Sequence, residues 1–503
     1  MKKTYLKLCV SLLLSAMAVS CGDPDKFFTD QTRNTTSEFD LPMVNISDYK
    51  ETVEFESEMV TNDGEGYTDT YVSLKASWLT IDSATPIVSS AINLGSSDSR
   101  LVISDMSYEE WSVSDLKNNI YVNGIVALEG FNIEVRSHYN DGVSLKVIDN
   151  NFSPVILYAG EATGNVEVST IYKGGDVPLS SSVDKLLIKR GYQVVVAASE
   201  DGTDSSVCYI AVNNDVEVEL DASLKGNIKF LRTLAIDYVN KRGIGGKSYA
   251  NYAPPLNLNW FYTWGANTNT NTIVDKDPYT NYMPMFWSCP GDDGIQAVID
   301  MQCPVVLFLN EPDNVNQSNV DVDKALEYYA KVHAMGVRLV TPSCCEIQNW
   351  SLTNTGTASK WINAFMAGVK EQGLRYDGVG MHWYSYSQNY TTGATAANAA
   401  TAWSKLNASL TSCYNLYKKP IFLTEFNFEG GTEPSGDVCS YLLENGVLPG
   451  LESAEYVERY ALFPPETGSV SWLITDGELN DYGEMYCNRV PQTPSIVMAA
   501  TDK

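Results

Sequence analysis

The chain has 503 residues, of which 44% are hydrophobic and 11% aromatic, so it can bury a large core and more than one domain, and wholesale disorder is excluded. Sixty-two acidic residues against 34 basic ones give a formal charge of -28, which repels phosphate backbones and anionic membrane surfaces. No Lys/Arg run supplies a local basic patch, and no nucleic-acid partner is expected. The three histidines, His138, His333 and His382, are far apart in sequence, which argues against a three-His zinc site and leaves carboxylates as the abundant catalytic groups. No metal site and no cofactor is expected.

The first residues read as a sorting signal. Lys2, Lys3 and Lys7 precede an apolar run from Leu8 to Val19 that is too short to span a bilayer as a stable helix. Ala18-Val19-Ser20-Cys21 resembles a bacterial lipoprotein cleavage box, with Cys21 as the lipidated first residue, although Ala18 stands where Leu is commoner. An ordinary cleaved signal peptide with an incidental cysteine is the alternative. Asp23 and Asp25 resemble the surface-export tags of Bacteroidetes-type lipoproteins. The expectation is an outer-membrane lipoprotein, facing the cell surface or the periplasm, monomeric, and touching the membrane through its lipid only. Loss of the residues before Cys21 removes three Lys and no acid, so the mature chain carries a net charge of -31. The adjacent Cys344 and Cys345 fit neither a disulfide with each other nor a CxxC motif, and read as structural filling.

Residues 22–50 are polar and read as a tether. Over 51–228, short runs such as Tyr71-Val72-Ser73-Leu74 and Gln193-Val194-Val195-Val196 are broken at Gly, Asn and Asp, with Asp201-Gly202 a hairpin signal. This predicts one or two all-β sandwich modules, either carbohydrate-binding with Trp78 or Trp111 exposed, or a spacer with both buried. Over 229–503, strand-like runs at 242–245, 258–264, 282–287, 304–310, 338–342, 378–384, 420–426 and 469–474 alternate with helical patterns at 322–335, 360–372, 396–417 and 437–443. That count and spacing predict a (β/α)8 TIM barrel. A doubly wound sheet loses ground because no GxGxxG follows the first strand. Gly246-Lys247-Ser248 imitates the tail of a phosphate-binding loop, but Lys241 stands where the first glycine is required.

In such a barrel the C-terminal strand ends face the active site. Val305-Val306-Leu307-Phe308-Leu309 runs into Asn310-Glu311-Pro312-Asp313, and Ile421-Phe422-Leu423 into Thr424-Glu425-Phe426-Asn427. Two carboxylates across a sugar cleft are the machinery of glycoside hydrolysis, one protonating the leaving oxygen and the other attacking the anomeric carbon or activating water. Trp260, Tyr262 and Trp264 share one strand face by period-2 alternation, and indoles at strand ends, Trp264, Trp287, Trp383 and Trp472, present flat surfaces for sugar rings. Barrel-core packing is an equal reading for Trp260 and the favoured one for Trp350, Trp361 and Trp403. His333, within a helical pattern, reads as structural, and Asp313 and Glu429 as rim charges.

The second half resembles the glycosyl hydrolase catalytic core of glycoside hydrolase family 128, the endo-β-1,3-glucanases. The similar segments are Lys241-Arg242-Gly243, Trp260-Phe261-Tyr262-Thr263-Trp264-Gly265, Met283-Pro284-Met285-Phe286-Trp287 and Phe308-Leu309-Asn310-Glu311-Pro312-Asp313. They continue with Met381-His382-Trp383-Tyr384, Lys419-Pro420-Ile421-Phe422-Leu423-Thr424-Glu425-Phe426 and Tyr456-Val457-Glu458-Arg459-Tyr460-Ala461. The resemblance implies Glu311 as general acid/base and Glu425 as nucleophile of a retaining double displacement. It also implies that Asn310 bonds the sugar 2-hydroxyl, with His382 or Tyr384 as donors to the nucleophile. The expected function is a retaining endo-glycosidase acting on β-1,3-glucan or a related neutral β-glycan, with a polysaccharide or oligosaccharide as its partner. The alternatives are a non-catalytic surface glycan-binding lipoprotein that captures oligosaccharides in the barrel cleft, and a structural lipoprotein with an inert barrel.

Overall fold

The structure is a computed structural model. It describes residues 41–491, apart from 57, 63, 97–98, 139–141, 149–153, 177–181, 213–214, 237–240, 247–257, 267–280, 385–391, 429–435 and 464–472. The signal segment with Cys21, most of the 22–50 tether, Glu429 and Trp472 lie outside the described residues. Among the described residues, no helix is long and apolar enough to cross a membrane. The end of the tether stretch is tied down, since Val44 N donates to Gly124 O at 2.8 Å and Lys50 N to Asp69 O at 2.8 Å.

The first β module departs from the sandwich expected of it. Glu51–Glu56, Thr70–Lys75, Ala91–Leu94 and Ile120–Val122 pair side by side in parallel. Met59–Thr61, Trp78–Ile81 and Arg100–Ile103 form a second parallel row. Glu51 stands opposite Thr70, Tyr71 opposite Ala91 and Trp78 opposite Arg100, so these rungs of the coil take about twenty residues each, while the last, with Ile92 opposite Ile120, takes 28. Parallel neighbours cannot be joined by a tight hairpin, and the chain must wind around to return. Like residues therefore stack: Val53, Val72, Ile92 and Ile120 in one ladder, and Phe55, Leu74, Leu94 and Val122 in the next. A single strand's alternation is the same in both architectures, and only the twenty-residue repeat distinguishes them. Trp78 and Trp111 are 6% and 3% exposed, which leaves neither indole as a sugar platform.

The second module is the sandwich the sequence predicts. One antiparallel sheet runs Glu161–Asn165, Val155–Ala159, Lys185–Ile188, Val216–Glu219, and the other Ile171–Lys173, Phe230–Ala235, Tyr192–Ala197, Val207–Ala211. Phe230–Ala235 is an inner strand of the second sheet, so the module extends past residue 228. Val194 and Val196 face the sandwich core, while Val195 and Ala197 on the opposite face are also buried. That outer face is covered by the C-terminal domain. Gln193 Nε2 donates to Pro304 O at 2.7 Å, Arg232 donates to Met335 O and Ile299 O at 2.5 and 2.9 Å, and Arg375 Nε donates to Ser206 Oγ at 3.0 Å.

In the C-terminal domain Arg242–Gly245 pairs with Trp260–Tyr262, and that strand with Asn281–Tyr282. Met285–Phe286 continues to Val305–Phe308 and Arg338–Val340, and a bridge from Val340 to Gly378 leads to Val379–Tyr384. Ile421–Asn427 and Val457–Leu462 follow, and the last pairs back to Arg242–Gly245, every pairing being parallel. Tyr262, Met285, Val305, Leu307, Val340, Phe422 and Ala461 pack together on the inner face. Val306, Phe308, Leu339 and Val379 pack outward in the larger core that also takes residues of helices Val322–Val332, Thr357–Glu371 and Ala396–Tyr417. Of the strand expected at 469–474, residues 469–472 lie outside the described residues; Ile474–Thr475 pairs antiparallel with Glu478–Leu479, and Val457–Leu462 takes the place between Ile421–Asn427 and Arg242–Gly245. Glu458 and Arg459 make that strand look polar in sequence. Both are buried, with Glu458 in a two-bond ion pair with Arg338 (2.5 and 2.6 Å) and Arg459 donating to Asn259 Oδ1 at 2.8 Å.

Pro304, Met335 and Arg375 precede the strands Val305–Phe308, Arg338–Val340 and Val379–Tyr384, so the sandwich grips the N-terminal strand ends. Arg232→Ala removes the donor to the buried Met335 carbonyl and one of the donors to Ile299 O, and is expected to lower stability by about 2–4 kcal/mol, read as a fall in the urea midpoint.

Candidate active site

Glu311 follows the Val305–Phe308 strand at a sharp turn. Leu309 and Glu311 both have left-handed backbones, φ 56° and 40°, a conformation that costs a non-glycine residue about 1 kcal/mol. Local bonds offset it: Glu311 N donates to Ser343 O at 2.7 Å, Ser343 N to Leu309 O at 3.1 Å, and Ser318 Oγ to Asn310 O at 2.6 Å. Glu425 lies in the Ile421–Asn427 strand, where the register with Val457–Leu462 shifts between Leu423 and Phe426. The two carboxylates are 9% and 6% exposed.

His382 joins them. Its Nδ1 lies 3.0 Å from Glu311 Oε1 and 3.5 Å from Glu425 Oε2. One oxygen from each carboxylate and one ring nitrogen lie within 4.8 Å of one another, which makes these three the described residues close enough to share a cation. The other donors divide between the acids. Tyr384 OH and Tyr262 OH donate to Glu425 at 2.6 and 3.2 Å. Cys345 Sγ and Asn314 Nδ2 donate to Glu311 Oε2 at 3.0 and 2.9 Å.

Burial disfavours charge on every member of the site, and the partners decide how each responds. For Glu311, burial is outweighed by the bond and charge of His382 and by the Cys345 and Asn314 donors, which hold the carboxyl at about 2. For Glu425, burial prevails over the His382 charge and the Tyr384 bond, and its pKa is raised. His382 is raised because the two carboxylates overcome its own burial. The lowering of Glu311 and the raising of His382 both favour an ionised Glu311 beside a protonated imidazole.

Asn310 is buried and its Oδ1 accepts from Trp264 Nε1 at 3.2 Å, which joins two of the expected sugar contacts. Trp287 is 40% exposed and its carbonyl accepts from Asn310 N at 3.2 Å. Trp383 does not belong to this surface: it is 3% exposed and packs edge-on against Phe428. His382 and Tyr384 point into the site, so alternation along Val379–Tyr384 sends Trp383 the other way. Trp260 is core, its Nε1 bonded to Lys241 O at 2.9 Å. His333 is structural, accepting from Arg375 N at 3.0 Å, and burial brings its pKa down to about 4.

Sequence reasoning missed Asn314, Cys345, Glu346 and the donor role of Tyr262. The available signal was position: Tyr262 shares its strand face with Trp264, and Cys345 and Glu346 follow the end of the Arg338–Val340 strand. A cavity of about 550 Å³ opens beside Glu311, lined among others by Asp313, Asn314, Cys345, Glu346 and Gln348. Burial pushes Glu346 up to about 7.

Residues 243–486 match the family model described as "Glycosyl hydrolase catalytic core". The chain is therefore a glycoside hydrolase whose catalytic core is its C-terminal half. Solved structures to which it is similar belong to glycoside hydrolase family 128, the family its motifs resemble. One is the subgroup I endo-β-1,3-glucanase of Amycolatopsis mediterranei in complex with laminaripentaose: 26% identity, 50% of this chain and 99% of that chain, TM-score 0.41. A second is the subgroup II endo-β-1,3-glucanase of Sorangium cellulosum: 23%, 50% and 99%, TM-score 0.37. A third is the subgroup III curdlan-specific exo-β-1,3-glucanase of Blastomyces gilchristii in complex with glucose: 21%, 50% and 98%, TM-score 0.38. No curated protein matches the chain.

Because His382 supplies the largest stabilisation of the Glu311 anion, His382→Ala is expected to raise the Glu311 titration midpoint by at least about one pH unit. Carboxyl-carbon NMR of glutamate-labelled protein reads it directly.

Proposed function

We propose that the chain is a retaining endo-glycosidase of the family 128 type, cleaving β-1,3-glucan or a related neutral β-glycan, and that its circuit of parallel strands is a (β/α)8 TIM barrel. The observation that carries this reading is the pair of buried carboxylates at the C-terminal ends of two parallel strands, brought around one histidine with oxygens within 4.8 Å. That closeness suits a carboxylate that attacks the sugar directly; inversion needs a wider gap with room for water. The ligands of two relatives, laminaripentaose and laminarihexaose, are neutral β-1,3-linked chains, and this acidic protein suits a neutral polymer.

In this reading Glu425 is the nucleophile, oriented by Tyr384 and Tyr262, and Glu311 the acid/base. Glu311 is an anion in the free site, so the proton it must give to the leaving oxygen is held next to it on His382 Nδ1. A sugar entering between the carboxylates displaces the His382 charge from Glu425, leaving that carboxylate to attack. The proton crosses the 3.0 Å bond to Glu311 as the glycosidic oxygen departs. Glu311 then takes a proton from the water that releases the glycosyl-enzyme. Asn310, held by Trp264, bonds the 2-hydroxyl, and Trp264 and Trp287 offer ring faces to flanking sugars. Cys21 anchors the protein by lipid at the outer membrane, consistent with a substrate too large to enter the cell.

A second reading, capture of glycan without cleavage, draws on one observation: the low pKa of Glu311, which leaves the acid deprotonated at rest. The two separate cleanly. Incubation with laminarin is expected to release reducing ends, and Glu311→Gln and Glu425→Gln each to cut turnover by about a thousand-fold or more while calorimetry still detects laminari-oligosaccharide binding. Binding with no turnover in the parent protein would establish capture instead. Tyr384→Phe removes a donor from Glu425 and raises its carboxyl further. Activity that requires the Glu425 anion is then lost at a higher pH, so the acid limb of kcat/KM moves upward.

A further inference from the structure

Glu311's two oxygens have different partners. Oε1 faces His382 Nδ1 at 3.0 Å, while Oε2 accepts from Cys345 Sγ at 3.0 Å and Asn314 Nδ2 at 2.9 Å. Cys345 is itself fixed from both sides: its backbone amide donates to Asp313 Oδ1 at 3.0 Å, and Asn314 Nδ2 reaches its sulfur at 3.1 Å. Its neighbour Cys344 is buried in the core, and of this adjacent pair it is Cys345 that bonds Glu311.

We infer that Cys345 is a positioning residue for Glu311: its S–H clamps Oε2 and so leaves Oε1 as the oxygen that exchanges a proton with His382. The inference rests on the proposed acid/base role of Glu311. Burial, together with the charges of Glu311 and Asp313, pushes the thiol well above its ordinary range, so it stays a donor across the working pH range. Besides Cys345, the titratable groups facing Glu311 are His382, Asp313, Glu425, Tyr262 and Cys344. Removing a donor to the carboxylate makes Glu311 hold a proton more tightly, and with it the Glu311–His382 pair. The alkaline limb of activity, where that pair loses its proton, must then move to higher pH.

The test compares full-length parent, Cys345→Ala and Cys345→Ser. With laminari-oligosaccharides, Cys345→Ala is expected to move the alkaline limb of kcat/KM up by about one pH unit and to lower turnover roughly ten-fold. Cys345→Ser, which keeps a donor, restores both. A β-1,3-oligoglucoside with a dinitrophenyl leaving group needs no acid, and its cleavage changes less than about two-fold. The inference is overturned if the three pH profiles coincide, if Ser behaves like Ala, or if the dinitrophenyl substrate loses as much as the oligosaccharide, which marks a merely structural role. Should the parent cleave no glucan, the functional reading fails, and NMR titration of Glu311 still judges the clamp. A midpoint raised in the Ala variant and restored by Ser supports it, and an unchanged midpoint refutes it.

Discussion

Two carboxylates buried a few ångströms apart cannot both stay charged unless a cation or several donors stand between them, and the rest of this site is organised around that constraint. His382 meets it by lying within reach of both. Tyr262 and Tyr384 serve Glu425, and Asn314 and Cys345 serve Glu311. The result is an asymmetric pair, Glu311 lowered and Glu425 raised. The proposed roles need the opposite order, a raised acid beside an ionised nucleophile, and in that reading the His382 proton makes up the difference.

The scaffold holds this geometry by separating stabilising from reactive charge. At the N-terminal ends of the strands, Arg232, Arg375 and Gln193 lock the sandwich to the domain. Within the strand array, Arg338 and Glu458 neutralise each other, as do Arg242 and Glu452, the latter pair joined by Tyr460. Both ion pairs are buried. The opposite strand ends carry the left-handed turn at Glu311, the register shift beside Glu425 and the open cavity, which is where strained backbone and incompletely satisfied acids concentrate when a site is built for function.

Of the two readings its tryptophans left open, the N-terminal half matches the one with both indoles buried. With Trp78 and Trp111 buried, the parallel coil has no indole platform for sugar, and the sandwich spends one sheet face on the catalytic domain. Both modules read as a rigid mount.

Much of the chemistry was legible in the chain itself. Asn310-Glu311-Pro312 and Thr424-Glu425-Phe426 stand out because an apolar run ending in a carboxylate is costly unless it is used, and period-2 alternation placed Tyr262 with Trp264 on one face. The same alternation, had it been applied to Met381-His382-Trp383-Tyr384, would have turned Trp383 away from the site. Other features were not local. A strand's own pattern does not say whether its neighbour runs parallel or antiparallel, so the coil at 51–122 passed for a sandwich, and buried partners for Glu458 and Arg459 concealed the last strand. Cys345 and Asn314 meet Glu311 only because the Val305–Phe308 and Arg338–Val340 strands lie side by side and both end at the same face. The sequence by itself determined which residues could do the chemistry; the tertiary structure decided which donors each acid received, because those donors come from separate strand ends and protonation depends on distances that only packing sets.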